Sequence, residues 1–111
     1  MDKRIVITGI GVLAPNGIGK DVFWSSLKKG QSGIKPITIF QPSFYKSKQA
    51  GEISDFSPEQ FLGSKGLKNI DRATKLVCSA AKLALEDSGL EITEENTENI
   101  GVVTGTTLAF W

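Results

Sequence analysis

The chain has 111 residues, 40% of them apolar, with 13 Lys and Arg against 12 Asp and Glu, one cysteine and no histidine. The absence of histidine excludes a Ser–His or Cys–His catalytic set within this chain. Without histidine and with one cysteine, a multi-ligand zinc site of the usual kind is excluded too. A lone cysteine also excludes an internal disulfide. Residues 1–50 carry eight basic and two acidic side chains and residues 51–111 carry five and ten, so the balanced total indicates neither a nucleic-acid nor a membrane partner.

The first predicted element is a buried strand over residues 4–13, because a continuous apolar and β-branched run is typical of parallel sheets covered on both faces. No signal peptide precedes this run and the apolar stretches are far too short to cross a membrane, so a cytoplasmic location is expected. Pro15-Asn16-Gly17 predicts a turn. A helix is then predicted from Lys20 to Lys29, with Gly30 ending it.

Residues 30–62 are the least regular part of the sequence and are punctuated by glycine and proline. Residues 50–53 predict a minor strand, and residues 57–62 predict a brief helix in which Ser57 is the N-cap and Pro58 takes the first position. A connection of this length is uncommon inside a compact domain, so we interpret the segment as a surface excursion with a function.

The clearest predicted element is a helix from Asp71 to Ser88, capped by Asp71 and closed by Gly89. Its polar residues form one narrow stripe: Lys75, Ser79, Lys82 and Glu86. The rest of the circumference is apolar and rich in alanine, which predicts a buried helix that neighbouring elements approach closely. Cys78 is a candidate nucleophile, but its apolar neighbours and the lack of histidine favour a buried, inert thiol with a packing role.

A second buried strand is predicted over residues 100–105, whose sequence is IGVVTG. The residues that follow are again apolar, with Leu108, Phe110 and Trp111 close together. Exposed apolar tails promote aggregation, so we expect more protein to belong here.

The pattern Gly9-x-Gly11-x-x-Ala14 imitates a dinucleotide-binding fingerprint without meeting its requirements. That site needs a helix directly behind the glycines and an acidic residue about 20 positions later. Pro15-Asn16-Gly17 stands where the first helical turn belongs, and the acidic residue is missing. Gly19-Lys20 does not complete a P-loop either, so nucleotide binding remains only a third hypothesis.

Lys65 and Lys68 precede the long helix, where positive charge is unfavourable by about 0.3–1 kcal/mol. Two interpretations stay open for these lysines. They either dock an acidic partner or belong to a solvated turn.

Five segments of the chain follow one another in a known order: RIVITGIGVLAPNG, FW…L…GQSGI, AGEI, DRATKL…AA…ALEDSGL and IGVVTG. In this order they resemble the β-ketoacyl-acyl-carrier-protein synthases, the condensing enzymes of fatty-acid and polyketide synthesis. The resemblance extends over essentially all 111 residues and is greatest to the elongating, second-synthase-like type.

This resemblance implies an α/β fold of the thiolase-like kind, with five αβαβα layers, of which the chain is the front part of the N-terminal half. Residues 1–111 would then be an incomplete portion of a β-ketoacyl synthase N-terminal domain. The implied activity is acyl transfer: decarboxylative Claisen condensation of acyl and malonyl groups held on acyl carrier protein. The alternative is a non-catalytic partner subunit similar to a chain-length factor.

The resemblance also assigns site residues and partners. The catalytic Cys and His residues are expected downstream of residue 111, so the chain alone should be inactive. Lys65 and Lys68 match basic positions that contact the acidic acyl carrier protein. Leu108 matches a position bordering the acyl-chain pocket, and Phe110, where the family carries small residues, would narrow that pocket. No metal or cofactor is expected, and the expected partners are acyl carrier protein, the remainder of the synthase polypeptide and a second copy in a full-length homodimer, with no nucleic acid or membrane.

Overall fold

The computed structural model describes residues 2–107, which combine helices with short strands. The helices are α1 (Lys20–Lys28), α2 (Glu59–Leu62) and α3 (Arg72–Ser88), with single 3-10 turns at Leu67–Asn69 and Thr97–Asn99. The strands are β1 (Leu13–Ala14), β2 (Gly17–Ile18), β3 (Ile34–Pro36) and β4 (Gln49–Gly51). The chain is therefore of mixed α and β composition, as expected.

The strands pair as two antiparallel hairpins. In the first, Leu13 lies opposite Ile18, and the backbone reverses through the predicted turn at Pro15 and Asn16. In the second, β3 pairs with β4, so the minor strand predicted over residues 50–53 forms slightly earlier, at Gln49–Gly51. This second hairpin accounts for much of the irregular excursion between residues 30 and 62.

The ends of α1 and α3 follow the local chemistry of the sequence. Helix α1 stops at Lys28, one residue earlier than predicted, and Gly30 adopts a left-handed φ of 66° directly after it. The Asp71 carboxylate caps α3 by accepting a hydrogen bond from the Thr74 backbone N–H at 2.9 Å. Gly89, with φ of 69°, ends this helix. The predicted bounds of α3 are confirmed.

The predicted start of α2 is wrong by one position. Pro58, rather than Ser57, is the N-cap residue, and α2 begins at Glu59. The Ser57 hydroxyl donates to the Glu59 carboxylate at 3.0 Å instead of accepting a helical N–H group. This serine is therefore occupied by a side chain that competes with its capping role.

The two glycines of the apparent nucleotide motif allow the N-terminal segment to lie directly on α3. A Cβ atom on Gly9 would stand 2.3 Å from the Ala84 carbonyl oxygen, and one on Gly11 would stand 1.9 Å from that of Ala80. No residue with a side chain fits at either position. The alanines of α3 thus permit the close approach predicted for them.

Helix α3 is covered on one face and exposed on another. Ser79, from the polar stripe, is the most buried side chain at 0% exposure, and its hydroxyl has no hydrogen-bond partner within residues 2–107. Val77 is half exposed and the Cys78 thiol is exposed. The prediction of a buried Cys78 is therefore wrong for this chain, because the described residues supply one covering layer and not two.

The two predicted buried strands are also not formed as such. Of residues 4–13, only Leu13 enters a strand, and residues 100–105 enter none. Ile5 and Val103 are 95% and 99% exposed. A strand needs hydrogen-bonded neighbours on its edges. Within residues 2–107, no strand pairs with residues 4–12 or with residues 100–105, so both stretches remain outside a sheet.

The chain leaves far more surface in contact with solvent than a compact protein of its size. Its accessible surface is 9573 Å² at a mass of 11.9 kDa. A folded monomer of that mass exposes about 5,900 Å². Among the described residues, Leu67 is the only buried apolar side chain, and it is still 7% exposed. The apolar faces of α3 and of the N-terminal segment suit contacts that residues 2–107 do not provide.

Candidate functional site

Lys65 and Lys68 lie in the turn that joins α2 to α3, and both are exposed. Two glycines give this turn its shape, because Gly63 and Gly66 have left-handed φ angles of 74° and 79°. Leu67, between the lysines, is only 7% exposed. The apolar residue anchors the turn and the two charged residues remain available at the surface.

Two anchors hold the start of α3 beside this turn. The Asp71 carboxylate accepts hydrogen bonds from the Thr74 hydroxyl at 2.7 Å and from the Thr74 N–H, which together hold its pKa below the ordinary value. The Arg72 guanidinium donates to the Ile53 carbonyl at 2.6 Å and lies 5.8 Å from the centre of the Phe56 ring. The helix start is thereby fixed to the segment before α2.

The basic side chains near the start of α3 differ in whether other residues bind them. Arg72 is engaged by a carbonyl and an aromatic ring, whereas Lys65 and Lys68 form no ion pair within the described range. Their positive charges are not neutralised locally. The turn can therefore attract an acidic surface at long range and hold it at short range.

No catalytic arrangement is present in residues 2–107. Cys78 is exposed and lies on α3, and no cluster of His, Cys, Asp and Glu side chains in the described part of the chain could hold a metal ion. Leu108 and Phe110, the predicted pocket residues, lie outside the described residues. The described geometry supports binding rather than bond-making chemistry.

Two open cavities lie beside the hairpins. The larger, about 540 Å³, is bounded by the β1–β2 turn, by Lys35 and by residues 53–55. The smaller, about 230 Å³, has Thr38 and Ile39 on one wall and Arg72 and Leu76 of α3 on another. The second cavity is the one that reaches the first turns of α3.

Sequence reasoning missed the carboxylate that joins the two ends of the described fold. Asp87, near the end of α3, accepts a hydrogen bond from the Ile10 backbone N–H at 2.9 Å and forms an ion pair with Lys20 at the start of α1. The hydrogen bond between the two side chains lowers the pKa of Asp87 and raises that of Lys20. An Asp in the last turn of a helix interacts unfavourably with the helix dipole. This unfavourable position was the feature of the sequence that could have pointed to a partner for Asp87.

A second carboxylate was also missed. Glu52 accepts hydrogen bonds from the Thr38 hydroxyl at 2.7 Å, from the Thr38 N–H at 3.0 Å and from the Ile39 N–H at 3.3 Å. These bonds, the one from the hydroxyl first, hold the pKa of Glu52 below its ordinary value. Glu52 thus fixes the point where the chain leaves β3.

Comparison with known proteins decides the family. The family model described as "Beta-ketoacyl synthase, N-terminal domain" matches residues 2–111. The chain belongs to the β-ketoacyl synthase family. The predicted thiolase-like α/β fold is confirmed by this match and by the solved ishigamide ketosynthase/chain length factor, which superposes with a TM-score of 0.72 at 34% identity, over 82% of this chain and 22% of that one.

Two relatives show how this β-ketoacyl synthase chain compares in sequence. It is 41% identical over 103 residues to 3-oxoacyl-[acyl-carrier-protein] synthase 2 of Coxiella burnetii, covering 93% of this chain and 25% of that protein. It is 45% identical over 106 residues to the tetracenomycin polyketide synthase ketoacyl synthase alpha subunit of Streptomyces glaucescens, covering 95% and 25%. The chain spans about a quarter of the length of these relatives.

Within residues 2–107 of this β-ketoacyl synthase chain, no helix is both long and apolar enough to cross a lipid bilayer.

Proposed function

We propose that this chain is the front segment of the N-terminal domain of a cytoplasmic 3-oxoacyl-[acyl-carrier-protein] synthase, an acyltransferase. The whole enzyme would take an acyl group onto a cysteine, decarboxylate a malonyl group held on acyl carrier protein, and join the resulting carbanion to the acyl carbon with release of the cysteine. The observation that carries this proposal is identity of 41% and 45%, over nearly the whole chain, to relatives named for this chemistry or for its polyketide counterpart.

In this proposal, residues 1–111 contribute recognition of the carrier protein and a packing surface for the rest of the polypeptide. No nucleophile–histidine pair can form within this chain, because it contains no histidine, so the condensation itself requires residues from the rest of the polypeptide. The exposed apolar faces of the N-terminal segment and of α3 provide the surface on which that remainder would pack. No cofactor enters this chemistry.

The basic turn supplies the carrier-protein contact in this proposal. Lys65 and Lys68 are exposed and without an ion pair among residues 2–107, and the anchored start of α3 fixes their position. A rigid basic turn suits an acidic carrier, since charges held in place lose little freedom on binding. Leu108 and Phe110 are proposed to border the acyl-chain pocket.

The activity is tested with the full-length polypeptide that contains this chain. Mixed with acyl- and malonyl-carrier protein, it should release carbon dioxide and form the β-ketoacyl product, and the 111-residue chain alone should form none. Product from the short chain, or none from a full-length protein that has its downstream cysteine, would contradict the proposal. A full-length sequence without that cysteine would instead support the chain-length-factor alternative.

The docking role has its own test. The double variant Lys65→Glu with Lys68→Glu should raise the KM for carrier-bound substrate about tenfold or more, since two attractive charges become repulsive. Lys82→Glu, a matched reversal of an exposed lysine toward the other end of α3, should leave that KM unchanged. Equal KM values for the double variant and the control would refute the docking role.

A further inference from the structure

The β3–β4 hairpin carries a long loop, residues 37–48, which we call the tip. The stretch of sequence that contains it is basic: residues 22–51 contain five lysines and neither Asp nor Glu. Three of those lysines, Lys35, Lys46 and Lys48, belong to this hairpin, and all three are exposed. The hairpin is therefore a concentrated positive surface in a chain of balanced charge.

The tip has a defined shape despite its length. Glu52 accepts hydrogen bonds from Thr38 and Ile39 where the tip begins. The rings of Phe40 and Tyr45 meet edge to face, with centroids 5.7 Å apart and planes at 77°. The Tyr45 N–H donates to the Pro42 carbonyl at 3.0 Å, which closes a turn. A loop held in this way is ordered before it meets a partner, which lowers the entropy lost on binding.

The same loop presents apolar side chains to solvent. Phe44 is 99% exposed and Ile39 is 80% exposed, while Tyr45 is also largely open. These residues do not contribute to a core formed by residues 2–107. Exposed aromatic side chains on a rigid support are typical of a protein interface.

The base of the tip also lies beside the start of α3. Thr38 and Ile39 of the tip share the 230 Å³ cavity with Arg72 and Leu76 of α3. Lys65 and Lys68 precede that same end of α3. The base of the tip and the start of α3 therefore line one depression, whose walls also include Glu52 and Ser54.

We propose that the tip is a second contact surface for the acyl carrier protein, with Lys46 and Lys48 pairing with its acidic side chains and Phe44 packing on an apolar patch between them. This inference rests on the proposed function, which supplies the acidic partner. Charge complementarity selects that occupant, and the base of the tip shares a cavity with the first turns of α3, the helix that Lys65 and Lys68 precede in the chain.

The experiment measures the Kd of acyl carrier protein for the full-length polypeptide by calorimetry at low and at high salt. Lys46→Glu with Lys48→Glu should weaken binding about threefold to tenfold at low salt and much less at high salt, because exposed charges are screened. Phe44→Ser should weaken binding about fivefold at both salt concentrations, since loss of an apolar contact is not screened. Phe44→Trp, which keeps a large aromatic side chain, should bind the carrier with the wild-type Kd. Lys82→Glu should also leave the Kd unchanged.

The outcomes separate this inference from the proposed function. Tip variants that leave the carrier Kd unchanged, or a wild-type protein that does not bind the carrier, would overturn the inference whether or not condensation occurs. Failure of condensation with tip-dependent carrier binding would refute the proposed function alone. The last measurement uses vesicles rich in phosphatidylglycerol. If vesicle binding requires Phe44 and Lys46 while the tip variants leave the carrier Kd unchanged, the tip binds an anionic lipid surface and the inference is overturned.

Discussion

Replacing Gly11 by alanine should destabilise the chain through one contact, that of the N-terminal segment with α3. The added Cβ would lie 1.9 Å from the Ala80 carbonyl oxygen, whereas real Cβ atoms do not come within 3.0 Å of such an atom. The segment and the helix must separate by roughly 1 Å, a gap that forfeits up to half of the dispersion energy of each contact across it. We expect a loss of about 2–3 kcal/mol, near the top of the range for overpacking.

The assay is urea unfolding of the 111-residue chain, followed by helical circular dichroism. Gly11→Ala should lower the unfolding midpoint with an unchanged slope, corresponding to about a 30- to 150-fold change in the folding equilibrium. Gly101→Ala is the matched control, because a Cβ atom there has nothing within 4 Å and the backbone is not left-handed. That control should stay within about 0.5 kcal/mol of wild type.

One result would refute the packing argument. If Gly11→Ala and Gly101→Ala unfold at the same urea concentration, the N-terminal segment does not lie on α3 with the separation described. Gly9 would then also lose its explanation, because its close contact is with the same helix.

Three further predictions concern the ion pair, the thiol and the pocket. Lys20 has a raised pKa and Asp87 a lowered one, so their contribution to stability is present between the ordinary values of 3.8 and 10.5 and is lost as pH falls through the pKa of Asp87 or rises through that of Lys20. The difference in urea midpoint between wild type and Asp87→Asn should be steady inside that range and shrink below and above it. A difference that does not shrink at either extreme of pH would contradict this. The exposed Cys78 thiol should react with Ellman's reagent in the native 111-residue chain, and labelling only after denaturation would show that it is covered. Phe110→Gly should broaden the acyl lengths that the full-length enzyme accepts, and an identical product profile would count against its place at the pocket.

Local chemistry was enough to predict the two longer helices, α1 and α3, to within one residue. Asp71 and Gly89 bound α3 because a carboxylate cap and a left-handed glycine act within one turn of the residues they terminate. Gly30 does the same for α1. Helix-capping residues of this kind act independently of the rest of the fold, so the sequence alone was enough to predict where these helices end.

Burial and strand formation depend on distant partners and were predicted less well. Ser79 is buried and Cys78 exposed, although the helical pattern alone favoured the reverse for the thiol. The run over residues 4–13 has the composition of a strand, but composition cannot supply the neighbouring strand that pairing needs. Gly9 and Gly11 imitated a nucleotide motif because both uses require a backbone without a Cβ atom.

The candidate site was predicted in part. The charge pattern singled out Lys65 and Lys68, and the structure places both at the surface before α3. The contacts that fix their surroundings join residues far apart in sequence, such as Arg72 with Ile53 and Glu52 with Thr38, and no short motif announces them.

The bond between Ile10 and Asp87 has a consequence for the order in which the chain can fold during synthesis. Its two residues are separated by 77 positions. At translation rates of about 5–20 residues per second, the apolar N-terminal segment waits about 4–15 s before its partner on α3 is made. During that interval Gly9, Ile10 and Gly11, which lie on α3 in the folded chain, have no partner, and the apolar segment that contains them is where we expect a chaperone to engage the nascent polypeptide.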